Sequence, residues 1–90
     1  MSIRDAELRD QATKAAKSGL LCLSEGLRNV GQGHRRKYFN EAENSLCETV
    51  AAVALAAAIS AMDLTEALEV QRLGRRTQNM LRGLLRGRRP

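Results

Sequence analysis

The sequence predicts an all-α fold: an up-down antiparallel helical bundle, four-helix-bundle-like, with three long helices in this chain and completion by oligomerisation. Three observations predict it. Apolar residues recur three and four positions apart over long stretches, which is the spacing of one helix face. The single proline is the last residue, Pro90, so nothing in the interior forces a helix to break. The apolar residues are Leu, Ala, Val, Ile and Met, with the aromatics reduced to Tyr38 and Phe39. Alanine-rich faces let helix backbones approach closely and give a sheet little to bury.

The first helix is expected over about 3–30. Ala12, Ala15, Ala16, Leu20, Leu23, Leu27 and Val30 mark its apolar face. Gly19 is a weak point inside it, costing up to ~1 kcal/mol against alanine, or a place where another helix comes close. Gly31 and Gly33 supply the stop, because glycine readily takes the left-handed conformation that ends helices.

The second helix is expected over about 35–62, with a stripe of Phe39, Ala42, Leu46, Val50, Val53, Ala54 and Ala57. Beyond Thr49 it is apolar almost all round, the mark of a helix buried on more than one side. The run from Val50 to Met62 is 13 residues long and mostly alanine, short of the ~20 that span a bilayer, and reads as a buried central helix.

The third helix is expected over about 65–87, after a break at Asp63-Leu64-Thr65, with residues 88–90 as a basic tail to a single domain of residues 1–90. Asp63 with Glu66 resembles a capping box, and Thr65 is a competing N-cap. Val70, Leu73, Thr77, Met80, Leu81 and Leu84 make its stripe, while Leu64 and Leu68 fall toward the arginine side. The short connections make consecutive helices antiparallel. A chain of 90 residues buries only a little over ~60% of its unfolded surface, so it gains much from associating with copies of itself.

The net charge of +5 is unevenly placed. Residues 70–90 hold seven arginines and no acid, which is +7; the other residues hold eight bases and ten acids, which is −2. At 100° per residue, Arg72, Arg75, Arg76, Arg82 and Arg86 fall within an arc of roughly 120°. Arginine's planar fork grips phosphate or carboxylate in two places. A second basic patch, His34-Arg35-Arg36-Lys37, lies at the turn between the first two helices, the end where the third helix should finish. Three readings stand side by side: a solvated face that also complements the helix dipole, a surface for nucleic acid, and a dock for an acidic protein. With no aromatic platform for stacking, nucleic-acid contact would be to the backbone, with little sequence preference.

Catalytic patterns are missing from the sequence. Gly31-Gln32-Gly33 is a lone GxG with no strand before it and reads as a turn. His34 is the single histidine, has no carboxylate neighbour in sequence to orient it, and is expected in solvent. Glu41, Glu48 and Glu66 lack the Glu-x-x-His pairs that di-iron bundles use. Cys22 and Cys47 read as small core residues. They lie about equally far from the turn at His34, so a disulfide or half of a metal site is conceivable, but a zinc site needs about four ligands and is rejected. The start, MSIRDAELRD, is charged and without an apolar leader core, which points to a cytoplasmic protein. No cofactor is expected.

Three stretches, in order, carry a family resemblance. The first is Gln11, Lys14-Ala15-Ala16-Lys17-Ser18 and Glu25-Gly26; the second is Arg35-Arg36-Lys37-Tyr38-Phe39 with Ala42, Ser45-Leu46 and Glu48; the third is Met80-Leu81-Arg82-Gly83-Leu84-Leu85. From Leu8 to Leu85 the chain resembles the four helix bundle protein family, which includes the intervening-sequence proteins encoded within 23S ribosomal RNA genes. It departs at Cys22, where the family usually has asparagine, at Asn44, where it has glycine, and in lacking a counterpart of the family's first helix. The resemblance implies a bundle that forms rings, often pentamers. Through distant relatives it implies binding to a reverse transcriptase and nucleic acid.

The function expected is therefore a non-enzymatic oligomeric bundle that presents arginine to RNA, DNA or a nucleoprotein partner, with no membrane role. The residues expected at phosphate are Arg35, Arg36, Lys37, Arg72, Arg75, Arg76, Arg82 and Arg86. The alternatives are a purely structural assembly module and an adaptor that accepts a partner's helix in place of the missing one.

Overall fold

A computed structural model describes residues 2–28 and 32–85. Among them every regular element is a helix: α1 (Ala6–Arg28), α2 (Gln32–Ala58) and α3 (Leu64–Leu85). No described helix is long and apolar enough to cross a membrane.

Helix α1 begins three residues later than the spacing predicts. The Asp5 carboxylate accepts the Leu8 N–H at 2.9 Å, which satisfies one of the orphan donors of the first turn. This leaves Ile3 outside the helix, yet it is buried in the main core. The expected continuation through Val30 and the glycine stop at Gly31 lie outside the described residues. Gly33 is no stop: it sits in the first turn of α2.

Helix α2 ends at Ala58, four residues short of expectation, for a reason in the backbone. Ser60 takes a left-handed conformation at φ 60°. Its N–H donates to the Ala57 carbonyl at 3.1 Å, and the Ala61 N–H reaches back to the Ala56 carbonyl at 2.8 Å. This paired closure is the Schellman motif, made here without glycine. It turns Ala61 and Met62 inward, where both are buried. Helix α3 then starts at Leu64, with the Ala67 N–H on the Asp63 carbonyl. Glu66, expected to close a capping box on Asp63, instead takes the Ser2 N–H on Oε1 at 2.9 Å.

Helix α2 is central. Both α1 and α3 pack on it, and they do not pack on each other. Three mutually touching helices, each ~2.3 Å in backbone radius and ~8–10 Å apart, would measure ~13–15 Å in both cross directions. The molecule measures 43 × 22 × 13 Å, wider in one direction than such a triangle, so α1 and α3 stand apart on α2.

The α1–α2 seam is built from small residues. Leu8, Ala12, Ala15, Gly19, Cys22 and Gly26 recur four and three apart along α1. A Cβ on Gly26 would lie 2.6 Å from Cε1 of Phe39, so only glycine lets the Phe39 ring settle there. On α3 the seam runs through Ala67, Val70, Gly74 and Leu81, and a Cβ on Gly74 would lie 2.6 Å from Cγ2 of Val50. Val53 is fully buried where the elements meet, with Ile3, Leu8, Ala12 and Ala67 in the same cluster.

Two expected core stripes are therefore corrected. Leu20 and Leu27 of α1 are 65% and 59% exposed, and Leu73 and Met80 of α3 are 54% and 69% exposed. The seams use the small residues one row over, because α2 is reached by close backbone approach and not by leucine knobs. Ala16 of α1 and Ala54 of α2 are exposed as well.

Candidate nucleic-acid interface

The end of α3 comes to rest beside the start of α2. Leu81 shares a buried cluster with Phe39 and Ala42, and Arg82 Nε donates to Glu43 Oε2 at 2.9 Å. Arg82 thus meets the patch at the start of α2, whereas Arg72, Arg75 and Arg76 stand further back along α3, level with the middle of α2, where Gly74 faces Val50.

Arg35, Arg36 and Lys37 are all exposed in the first turns of α2, as is His34. The Arg35 guanidinium stands 5.8 Å from the centroid of the Phe39 ring, within the range of a cation–π contact. Arg72, Arg75 and Arg76 are exposed on α3. From Arg72 to Arg82 the row runs about 15 Å along the helix. Arg75 also borders a shallow groove between α2 and α3 lined by Leu46, Val50, Gly74 and Gln78. Arg86 lies outside the described residues, as do Arg88 and Arg89.

The eight expected residues are not equivalent. Arg82 spends its charge on Glu43, whose side chain is only 20% exposed while that of Arg82 is 56% exposed. An ion pair so open to solvent contributes at most about 1 kcal/mol, so phosphate could still compete for it. This pairing is not legible in the sequence, because the partners are separated by 39 positions. Arg28, at the end of α1, pairs with Glu25 one turn back. Arg72, Arg75 and Arg76 remain the densest cationic row, on a helix without an acid after Glu69.

The thiols are not joined. Cys22 and Cys47 are both free, and the fold separates them. Cys22 sits on the α1 side of α2, where its Sγ donates to Glu41 Oε2 at 3.5 Å. Cys47 sits on the α3 side and accepts from Gln78 Nε2 at 3.4 Å. Desolvation pushes the Cys22 thiol above its ordinary pKa, and the Glu41 carboxylate adds to this, against a smaller opposing bond from Ser18. Cys47 is exposed, against the core expectation, whereas Cys22 is half-buried and packs against the cluster of Phe39, Ala42 and Leu81. Among the described residues, no three His, Cys, Asp or Glu side chains gather as metal ligands would.

No known relative emerges. No family model matches the chain, and no curated protein or solved structure matches it significantly.

Proposed function

We propose that this protein is a non-enzymatic, self-associating helical module that binds the backbone of nucleic acid, RNA foremost, through its arginine-bearing flank. The observation that carries the reading is the exposed row Arg72, Arg75 and Arg76 on α3, with the exposed Arg35, Arg36 and Lys37 at the end of the molecule where that helix finishes. Charge of one sign spread along a helix matches the regular spacing of phosphates, and arginine adds a bidentate grip. The resemblance to the four helix bundle protein family supports the same reading, as does a sequence without the residue patterns of catalysis.

Retention of a fluorescent single-stranded RNA, titrated with salt, tests it. Six phosphate contacts, one for each of these side chains, would give a log–log salt slope of about −4. Arg72→Glu with Arg75→Glu, both on the exposed face, should weaken retention more than tenfold at low salt. Unchanged retention in that variant, or none in the parent protein, overturns the reading.

A further inference from the structure

Because α1 and α3 both pack on α2 and not on each other, a long groove is open between them. Leu20 and Leu27 on α1, and Leu73, Met80 and Leu84 on α3, are 36% to 69% exposed. Their spacings, seven on α1 and seven then four on α3, are those of heptad rows that expect a facing helix. Both helices run antiparallel to α2. In right-handed helices seated as these are, that direction turns both rows to the same side, into the groove.

Among the described residues nothing fills it. The described stretches outside the three helices, 2–5 and 59–63, are each too short for a helix that could run the groove's length.

Charge indicates the occupant. At the end holding the α2–α3 turn lie Asp5, Glu7, Asp10, Asp63, Glu66 and Glu69 against Arg4 and Arg9, six acids less two bases, or −4. At the other end lie Arg28, Arg35, Arg36, Lys37 and Arg82 against Glu25, Glu41 and Glu43, five bases less three acids, or +2. The sequence continues from that end with Arg86, Arg88 and Arg89. The molecule is thus polarised along its 43 Å length. We propose that the groove is closed by a second copy of this chain, packed groove to groove and antiparallel. The four rows of two copies then form one shared core, and each acidic end lies beside the partner's basic end. Such a contact is isologous and closes at two subunits. Copies side by side in one direction, as in a ring, would set like-charged ends together.

This pairing deepens the self-association in the proposed function but is independent of its nucleic-acid part. Light scattering should give twice the 9.9 kDa chain mass. Leu73→Lys with Met80→Lys, exposed positions whose change leaves the seams intact, should halve that mass while circular dichroism keeps the helical signal. Direction is read by spin labels on a Glu7→Cys variant with Cys22→Ala and Cys47→Ser. Antiparallel copies hold the two labels roughly a molecular length apart, near the 43 Å extent, and parallel copies hold them within half of it. A monomer, which would leave the groove to a different protein, overturns the proposal. So does a mass of three or more chains, a dimer that survives the double lysine variant, or a short label distance. Loss of RNA retention in the Arg72→Glu, Arg75→Glu variant at unchanged mass would leave it standing, so the two readings fail separately.

Discussion

Replacing Gly26 by alanine sets two opposed effects against each other. Alanine favours the helix by up to ~1 kcal/mol relative to glycine. Against that, the new Cβ would lie 2.6 Å from Cε1 and 2.8 Å from Cδ1 of Phe39, and 3.3 Å from the Tyr38 Cβ. Carbon atoms rest at about 3.5–4.0 Å, so the ring must retreat by about 1 Å. It has little room, being 3% exposed and clustered with Ala42 and Leu81. Overpacking of this kind costs typically about 1–3 kcal/mol. The net expectation is a loss of about 1–2 kcal/mol, or a fall in Tm of roughly 5–10 °C for a domain this size. Gly19→Ala is the internal control: its Cβ would stand 3.3 Å from the Ser45 Cβ and 3.7 Å from the Ala42 carbonyl oxygen, which a shift of a few tenths of an ångström relieves. That variant should match the parent within about 0.5 kcal/mol, or exceed it, on the helix preference of alanine. Thermal unfolding followed by circular dichroism at one fixed protein concentration makes the comparison, since association would otherwise shift Tm. Phe39→Leu supplies the second arm of a cycle. It should cost clearly less in the Gly26→Ala background than in the parent, with a coupling of about 1 kcal/mol. Gly26→Ala as stable as Gly19→Ala, or Phe39→Leu equally costly in both backgrounds, would refute the ring-against-glycine argument.

Two further outcomes follow from local geometry. Ser60 holds φ 60° in the Schellman closure of α2, where a side chain costs roughly 1–2 kcal/mol and glycine costs none. Ser60→Gly should raise stability by about 0.5–1 kcal/mol after the added freedom of the unfolded glycine is counted; a lower Tm would mean the serine is held there by something else. Iodoacetamide at pH 8 should modify the exposed Cys47 well before Cys22, whose thiol is held protonated by desolvation and by Glu41. The Cys22 rate should then climb as pH rises, and Glu41→Gln should speed it at pH 8; equal rates at the two thiols would sink that reading. The fold favours the protonated Cys22, so its stabilising contribution is full at neutral pH and is lost as pH rises through the raised value.

Much of the fold was legible because helix periodicity survives any packing. Three helices, their order and their antiparallel course follow from the spacing and from the lack of an interior proline. The choice of face did not follow. Leu20 and Leu27 obey the same period as Ala12 and Ala15, and volume alone favours the leucines for the core. Gly19, Gly26 and Gly74 decided otherwise, since they open a close approach that large side chains would block. Helix ends were misplaced where a non-glycine residue took the left-handed corner, at Ser60, and where Asp5 capped a helix expected to have started already. On the candidate interface, helical arithmetic placed Arg72, Arg75 and Arg76 together. It could not show that Arg82 would find Glu43 or that Arg35 would lie over Phe39, because both depend on how the helices dock.

Residues 2–5 give the outer helices a connection they lack by themselves. The Ser2 N–H binds Glu66 across 64 positions of sequence, the Arg4 backbone and guanidinium hold the carbonyls of Ala61 and Ser60, and Ile3 fills the space beside Val53. A strap of four residues therefore couples the loosening of α3 to that of α1. Trimmed of it, the molecule would no longer unfold as one body, but as a stable hairpin with a third helix free to peel away on its own.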